Sequence, residues 1–244
     1  MKIEQTTSST IEQLWAQMEP GVQQSKSLEN AAQQLVTKIH AQFDESVVLA
    51  RVYLTIPYGA LPSANTEFVK KLVSSTPAAS ELKPTTPVLS LIGSHGQEED
   101  WCDRRNSKGH VGIPLISSSF VDAIPMISRL LKELGVPVEW VDSHDAEIIV
   151  KTVGQSAGLF FAENAAEATD RLGRKIIAAQ DFVSSYGVKS VFGIGGAYPG
   201  SEMIVIVVFC RDAVSRAAAE KFLPLANLFK EKTGSLVGPA KVFS

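Results

Sequence analysis

The sequence predicts an α+β fold: a central antiparallel sheet with helices packed on one face, preceded by a helical extension. Three observations carry this. Two apolar runs, 190–194 and 202–210, flank the turn Gly195-Gly196-Ala197-Tyr198-Pro199-Gly200 and read as an antiparallel hairpin. A helical pattern follows that hairpin. The order upstream is helix, helix, strand, helix, strand, strand, helix, irregular segment, strand. A late hairpin followed by a helix does not fit a doubly wound parallel sheet.

Each element has its own signal. Thr10-Ile11-Glu12-Gln13 reads as a capping box, and Ile11, Leu14, Trp15 and Met18 then recur at helical spacing until Pro20-Gly21, where the helix is expected to stop. So short a helix is expected to pack on a partner chain. From Ser27, the residues Leu28, Ala31, Ala32, Leu35, Val36, Ile39 and Phe43 form one apolar stripe of a second helix. Residues 46–56 alternate, with Val48, Ala50, Val52, Leu54 and Ile56 on one face and Arg51 and Thr55 on the other. Phe68, Val69, Leu72 and Val73 mark a short helix, and the proline-containing stretch 74–87 a loop.

Residues 88–92 read as the second strand, ending at Gly93, and 111–116 as the third, where Pro114 argues for an edge position. Residues 94–109 are polar and aperiodic. Ser117–119 can cap a helix whose body starts near Pro125, carries Ile127, Leu130, Leu131 and Leu134, and stops at Gly135. The apolar stretches 138–141 and 147–153 cannot be ordered. Residues 159–162 read as a strand, 165–174 as helix or loop. Asp212 is placed to cap the last helix, which carries Phe222, Leu225, Ala226, Leu228 and Phe229.

Composition narrows function. The 244 residues include 45% hydrophobic and 20% charged residues, with 23 basic against 26 acidic and a net charge of −3. That is ordinary globular composition. The basic excess that phosphate binding favours is missing, so nucleic acid is not an expected partner. Two cysteines, Cys102 and Cys210, make neither a disulfide framework nor an all-cysteine zinc site and suit a reducing compartment. A polar N-terminus and a longest apolar run of eight residues, 203–210, point to a cytoplasmic protein without a membrane span.

The densest chemistry lies in residues 101–110, where Trp101, Cys102, Asp103, Arg104, Arg105, Ser107, Lys108 and His110 fall together. Paired guanidinium forks suit a carboxylate or phosphate, Asp103 can orient one, Trp101 can stack, and His110 can donate or accept near neutral pH. One reading is an anion-binding loop over a pocket. The other is a surface loop knitted by Asp–Arg pairs with Trp101 plugged into the core. Cys102 beside two arginines has the surroundings of a lowered thiol pKa, yet reads equally as a plain thiol, while Cys210 reads as core. The glycines at 193–200 lack the Lys-Ser/Thr ending of a phosphate loop and stand between strands. His144, Asp145 and Glu147 match no metal-ligand spacing, and Asp142, Asp145 and Glu147 read as a solvated face.

One stretch carries a resemblance: Ala179-Gln180-Asp181-Phe182-Val183-Ser184-Ser185-Tyr186-Gly187-Val188-Lys189-Ser190-Val191-Phe192-Gly193. With the strand 203–209, the closing helix, and the helix 28–43 feeding strand 46–56, it resembles a GAF domain. Trp101-Cys102-Asp103-Arg104-Arg105, Ser107, His110, Ile113-Pro114-Leu115 and Ile124-Pro125-Met126 resemble uncharacterised bacterial proteins related to sensor-kinase input regions.

The resemblance implies a GAF/PAS-like six-stranded antiparallel sheet with a pocket on one face, in a family that binds cyclic nucleotides, haem, bilins or small metabolites. It divides the chain into a helical extension (1–26), a GAF-like domain (27–235) and a tail (236–244). The expected function is a small-molecule-binding sensory domain in bacterial signal transduction, with Trp101, Asp103, Arg104, Arg105, Ser107 and His110 on an anionic ligand. A homodimer and a separate signalling partner are expected, since no kinase, cyclase or DNA-binding module follows, and no cofactor is named. Two alternatives stand: an enzyme on this scaffold using the Cys102 thiol, and a ligand-free interaction module with Trp15 on its contact surface. Fold alone does not choose among ligands.

Overall fold

The computed structural model describes residues 1–107, 109–143, 157–200 and 202–244. The sheet contains β1 (Val47–Pro57), β2 (Pro87–Gly96), β3 (Gly112–Pro114), β4 (Gly158–Ala162), β5 (Ser190–Ala197) and β6 (Met203–Cys210) in the order β3-β2-β1-β6-β5-β4. Every neighbouring pair is antiparallel. The expected hairpin is the β5–β6 pair. Pro114 lies on the edge strand β3, where its missing N–H leaves no central ladder bond unmade.

The helices are α1 (Ser8–Gln24), α2 (Leu28–Gln42), α3 (Ser63–Val73), α4 (Ser118–Asp122), α5 (Pro125–Glu133), α6 (Trp140–Ser143), α7 (Gln180–Ser185), α8 (Arg216–Glu220), α9 (Leu223–Thr233) and α10 (Pro239–Val242). The long helices α1, α2 and α9 cover one sheet face and enclose the larger core, which takes Val47, Ala50, Val52, Leu54 and Ile56 from β1. Gly93 lets α2 press close to the sheet: a Cβ there would lie 2.8 Å from the backbone of Ala32. Among the described residues, no helix is long and apolar enough to cross a membrane.

The alternation expected along β1 fails at its start. A bulge between Val47 and Leu49 sends both Val48 and Leu49 to the opposite sheet face, where Tyr53 also lies. Val48 therefore does not share a face with Ala50.

Other expectations shift at element ends. Helix α1 begins one turn earlier than the capping box at Thr10 implied. Thr7 is its N-cap, accepting from the Thr10 N–H, while the Thr7 N–H donates to the Thr10 hydroxyl. It also runs through Pro20 to Gln24. A proline removes one helical hydrogen bond, but Val22 beyond it is still buried against the core. The α1 stripe is not left for a partner chain: Trp15 is 6% exposed, and the helix packs on α2 and α9. Asp212 caps no helix. Its carboxylate accepts from Ser46 and its carbonyl from Ser190, while Ser215 caps α8. Ser117, Pro125 and Gly135 hold their expected roles as cap, first helical residue and left-handed stop (φ 84°). The stretch 147–153 and the residues His144, Asp145 and Glu147 lie outside the described residues.

Candidate functional site

The sheet face opposite α1, α2 and α9 carries the second core and a hollow of about 320 Å³. Leu49, Tyr53, Leu89, Val205, Val207 and Phe209 form its strand-borne floor. The first turns of α5, the segment 176–179 and Phe182 of α7 supply its walls, and Trp101, Gly109 and His110 come over it from the loop 97–111. The lining is largely aliphatic and aromatic. Trp101 packs on Phe182 (5.6 Å between ring centroids) and Tyr186 (4.7 Å), and Phe182 meets Phe209 edge-on (5.3 Å).

Into this apolar lining β1 delivers Arg51, only 6% exposed. Its Nη2 donates to Ser107 Oγ at 2.6 Å; its Nη1 donates to the Gly109 carbonyl at 3.1 Å and the Tyr53 hydroxyl at 3.4 Å. Its Nε–H is buried without an acceptor, and no carboxylate among the described residues lies within ion-pair distance. A buried charge without a counter-charge costs several kcal/mol (on the order of 3–5 when one partner of a buried pair is removed). Among the described residues, nothing acidic neutralises the Arg51 charge in the wall of the hollow.

His110 stands beside it in the left-handed region (φ 53°), which non-glycine residues rarely occupy and which clusters at functional positions. More than a third of its surface is exposed, yet desolvation first, and then the Arg51 charge, hold its pKa below the ordinary histidine value.

The same loop faces two ways. Trp101 and His110 line the hollow, whereas Asp103, Arg104, Arg105 and Ser107 do not. The paired arginines, expected to roof the pocket, are turned to the N-terminus of α2. There Glu29, itself 4% exposed, lies 2.8 Å from Arg104 Nε and 2.9 Å from Arg105 Nη2. The Arg104 Nε–H is not aligned on that oxygen, so charge rather than a well-directed hydrogen bond holds this pair. Glu29 also accepts from the Ser244 N–H and hydroxyl, and Phe243 lies beneath Arg104 (4.7 Å). Asp103 accepts from the Arg105 N–H and pairs with its side chain, as the knitted-loop reading expected. Ser107 serves the hollow indirectly, as acceptor for Arg51. Gln33 of α2 pins the loop further by donating to the carbonyls of Ser94 and Cys102.

Cys102 is half-buried, and its thiol lies 3.4 Å from the carbonyls of both Gly96 and Glu98, bonds that need the S–H hydrogen. It does not line the hollow. Cys210 is fully buried, which pushes its thiol pKa far up. Among the described residues, no group of three or more His, Cys, Asp or Glu side chains is placed to hold a metal.

Two residues of this arrangement were missed in the sequence. Glu29 has no place in the apolar stripe of α2 and carries no sequence signal of its own. Arg51 is placed by the sequence on the second face of its strand with Thr55, without a role. The available signal was its position, a lone arginine in a β-branched strand with apolar neighbours on both sides, since arginine is almost never fully buried without a partner.

No protein-family model matches the sequence, and no curated protein matches it. Solved structures do. The chain is similar to the phycocyanobilin-bound GAF domain from a cyanobacterial phytochrome, at 12% identity over 93% of this chain and 94% of that one, with a TM-score of 0.50. The phycoerythrobilin-bound GAF domain from a cyanobacterial phytochrome gives 12% identity, 93% and 95% coverage and a TM-score of 0.49. The GAF domain from Acinetobacter phosphoenolpyruvate-protein phosphotransferase gives 14%, 92% and 93%, and 0.45. At such identities the likeness speaks to fold, and the first of the three carries it: the chain has a GAF-like fold.

Proposed function

We propose that this chain is a sensory or regulatory module that binds a small anionic molecule in the hollow between β1, β6, α5 and α7. The observation that supports this most is the cavity of about 320 Å³ with a buried arginine in its wall that has no carboxylate partner among the described residues. That volume lies at the lower end of the ~300–1,000 Å³ range of small-molecule sites. A ligand-free interaction module would fill such a space with its own side chains. A thiol enzyme would need Cys102 to line the hollow free of its carbonyl contacts; Cys102 is not among the described lining residues, and its thiol meets the carbonyls of Gly96 and Glu98. Two of the similar GAF domains are bilin-bound. A bilin held here through a thioether would find no cysteine among the described lining residues.

In this reading Arg51, His110 and Trp101 contact the ligand. Asp103, Arg104, Arg105 and Ser107 hold the loop that presents them. Because one loop touches both the hollow and the segment 243–244, occupancy of the hollow is communicated there, to a second copy or a separate signalling protein. The test is native mass spectrometry of freshly purified protein together with melting curves across a panel of anionic metabolites. A bound mass or a melting shift is expected, and both should vanish in Val207→Trp, which fills the hollow. Absence of both from the wild type refutes the reading.

A further inference from the structure

The charge inventory of the hollow narrows its ligand beyond "small and anionic". We propose that it takes a monocarboxylic acid with an apolar body, the carboxylate against Arg51 and the body against the aromatic and aliphatic lining. This rests on the reading of the hollow as a ligand site.

The first support is the count of polar groups. Among the described lining residues, the side chains able to hydrogen-bond are Arg51, Tyr53, Trp101 and His110. None is acidic, and only the guanidinium is permanently charged. A ligand with one negative charge completes that inventory. A nucleotide would bring several hydrogen-bonding edges and at least one phosphate with little to receive them.

The second support is what borders the hollow without being available to it. The first turn of α5 lines it, and a helix N-terminus commonly serves phosphate through free N–H groups. Here Pro125 has no N–H, and the N–H groups of Ile127 and Ser128 donate to the Ile124 carbonyl. Among the described lining side chains, a phosphate dianion would meet one permanently charged group, Arg51. A carboxylate suits a single planar guanidinium.

The third support is the apolar lining around this charge. Trp101, Phe182 and Phe209 form a continuous aromatic wall, joined by Met126, Ile177 and Val207. It offers apolar contact over several carbons. After desolvation, the Arg51 charge also holds the His110 pKa down, and a bound anion would relieve that electrostatic part.

The test uses three probes with one tail: octanoate, octanamide and octyl phosphate, titrated calorimetrically into wild type, Arg51→Met, Arg51→Lys and Val207→Trp, each checked for fold by circular dichroism. Octanoate should bind wild type at least about tenfold more tightly than either other probe, as expected for a charge-assisted pair. That preference should vanish in Arg51→Met and be partly kept in Arg51→Lys. If octanamide binds wild type as tightly as octanoate and Val207→Trp abolishes both, the carboxylate assignment is overturned while the hollow remains a ligand site. Tighter binding of octyl phosphate overturns the assignment in the same way. If no probe binds wild type, the assignment fails, and the mass and melting measurements decide the reading beneath it. The wild-type comparison decides the matter even if an Arg51 variant does not fold.

Discussion

Arg51 Nη2 donates to Ser107 Oγ across 2.6 Å, tying the central strand β1 to the loop that comes over the hollow. Both side chains are buried. Ser107→Ala would strand a buried guanidinium donor, and an unsatisfied buried donor costs roughly 1–3 kcal/mol. Urea denaturation should show a loss of that size. A Ser107→Thr variant, which keeps the hydroxyl, should recover most of it.

Glu29 binds two arginines of very different exposure, so the two sides of the cluster should respond unequally. Its removal in Glu29→Ala leaves Arg104 buried without its acid, and breaking a buried pair from one side costs about 3–5 kcal/mol. Arg105 is half exposed (52%), and pairs of that kind are worth about 0–1 kcal/mol. Chemical denaturation of Glu29→Ala and Arg105→Ala should therefore differ by several-fold in lost stability. Equal losses would place the energy elsewhere.

Three histidines set the expected pH dependence. His40, His95 and His110 all sit below the ordinary histidine value of 6.5, each chiefly through desolvation, with His95 and Arg211 adding to the effect on His40 and Arg51 on His110. A depressed folded-state pKa means the unfolded chain takes up the proton first as pH falls. Their contribution to stability is present in full above about 6.5 and is lost as pH drops through the folded-state values. The urea midpoint should thus fall from pH 7 towards pH 5, and His110→Gln should flatten part of that slope.

Cys102 should behave as an unremarkable thiol. Its hydrogen is engaged by the carbonyls of Gly96 and Glu98. Iodoacetamide should label it no faster than a free small-molecule thiol at pH 7. Much faster labelling would revive the thiol-enzyme reading.

How much of this was legible in the sequence follows from what each signal reports. The β5–β6 hairpin, Pro114 at an edge and Pro125 at a helix start are local: each depends on backbone constraints within a few residues. The GAF-like element order was legible for the same reason. The length of α1 was not, because it depends on Val22 finding core beyond a proline. The start of β1 was not, because a bulge has no reliable residue signature. For the site, composition drew the eye to residues 101–110, and that loop does contribute Trp101 and His110. It could not show that Glu29, some seventy positions away, claims the arginines. Nor could it show that Arg51, inside a strand, supplies the charge to the hollow. Those are long-range placements, set by which groups come together once the chain is compact.

The central claim is that the hollow is a ligand site organised by Arg51. The most direct measurement is the pKa of His110, followed by imidazole NMR with and without saturating octanoate. Desolvation and then the Arg51 charge depress His110; an anion seated beside Arg51 offsets the second, so the His110 pKa should rise on binding, with His40 and His95 unmoved as internal controls. An unchanged His110 titration in the presence of bound octanoate would contradict the claim.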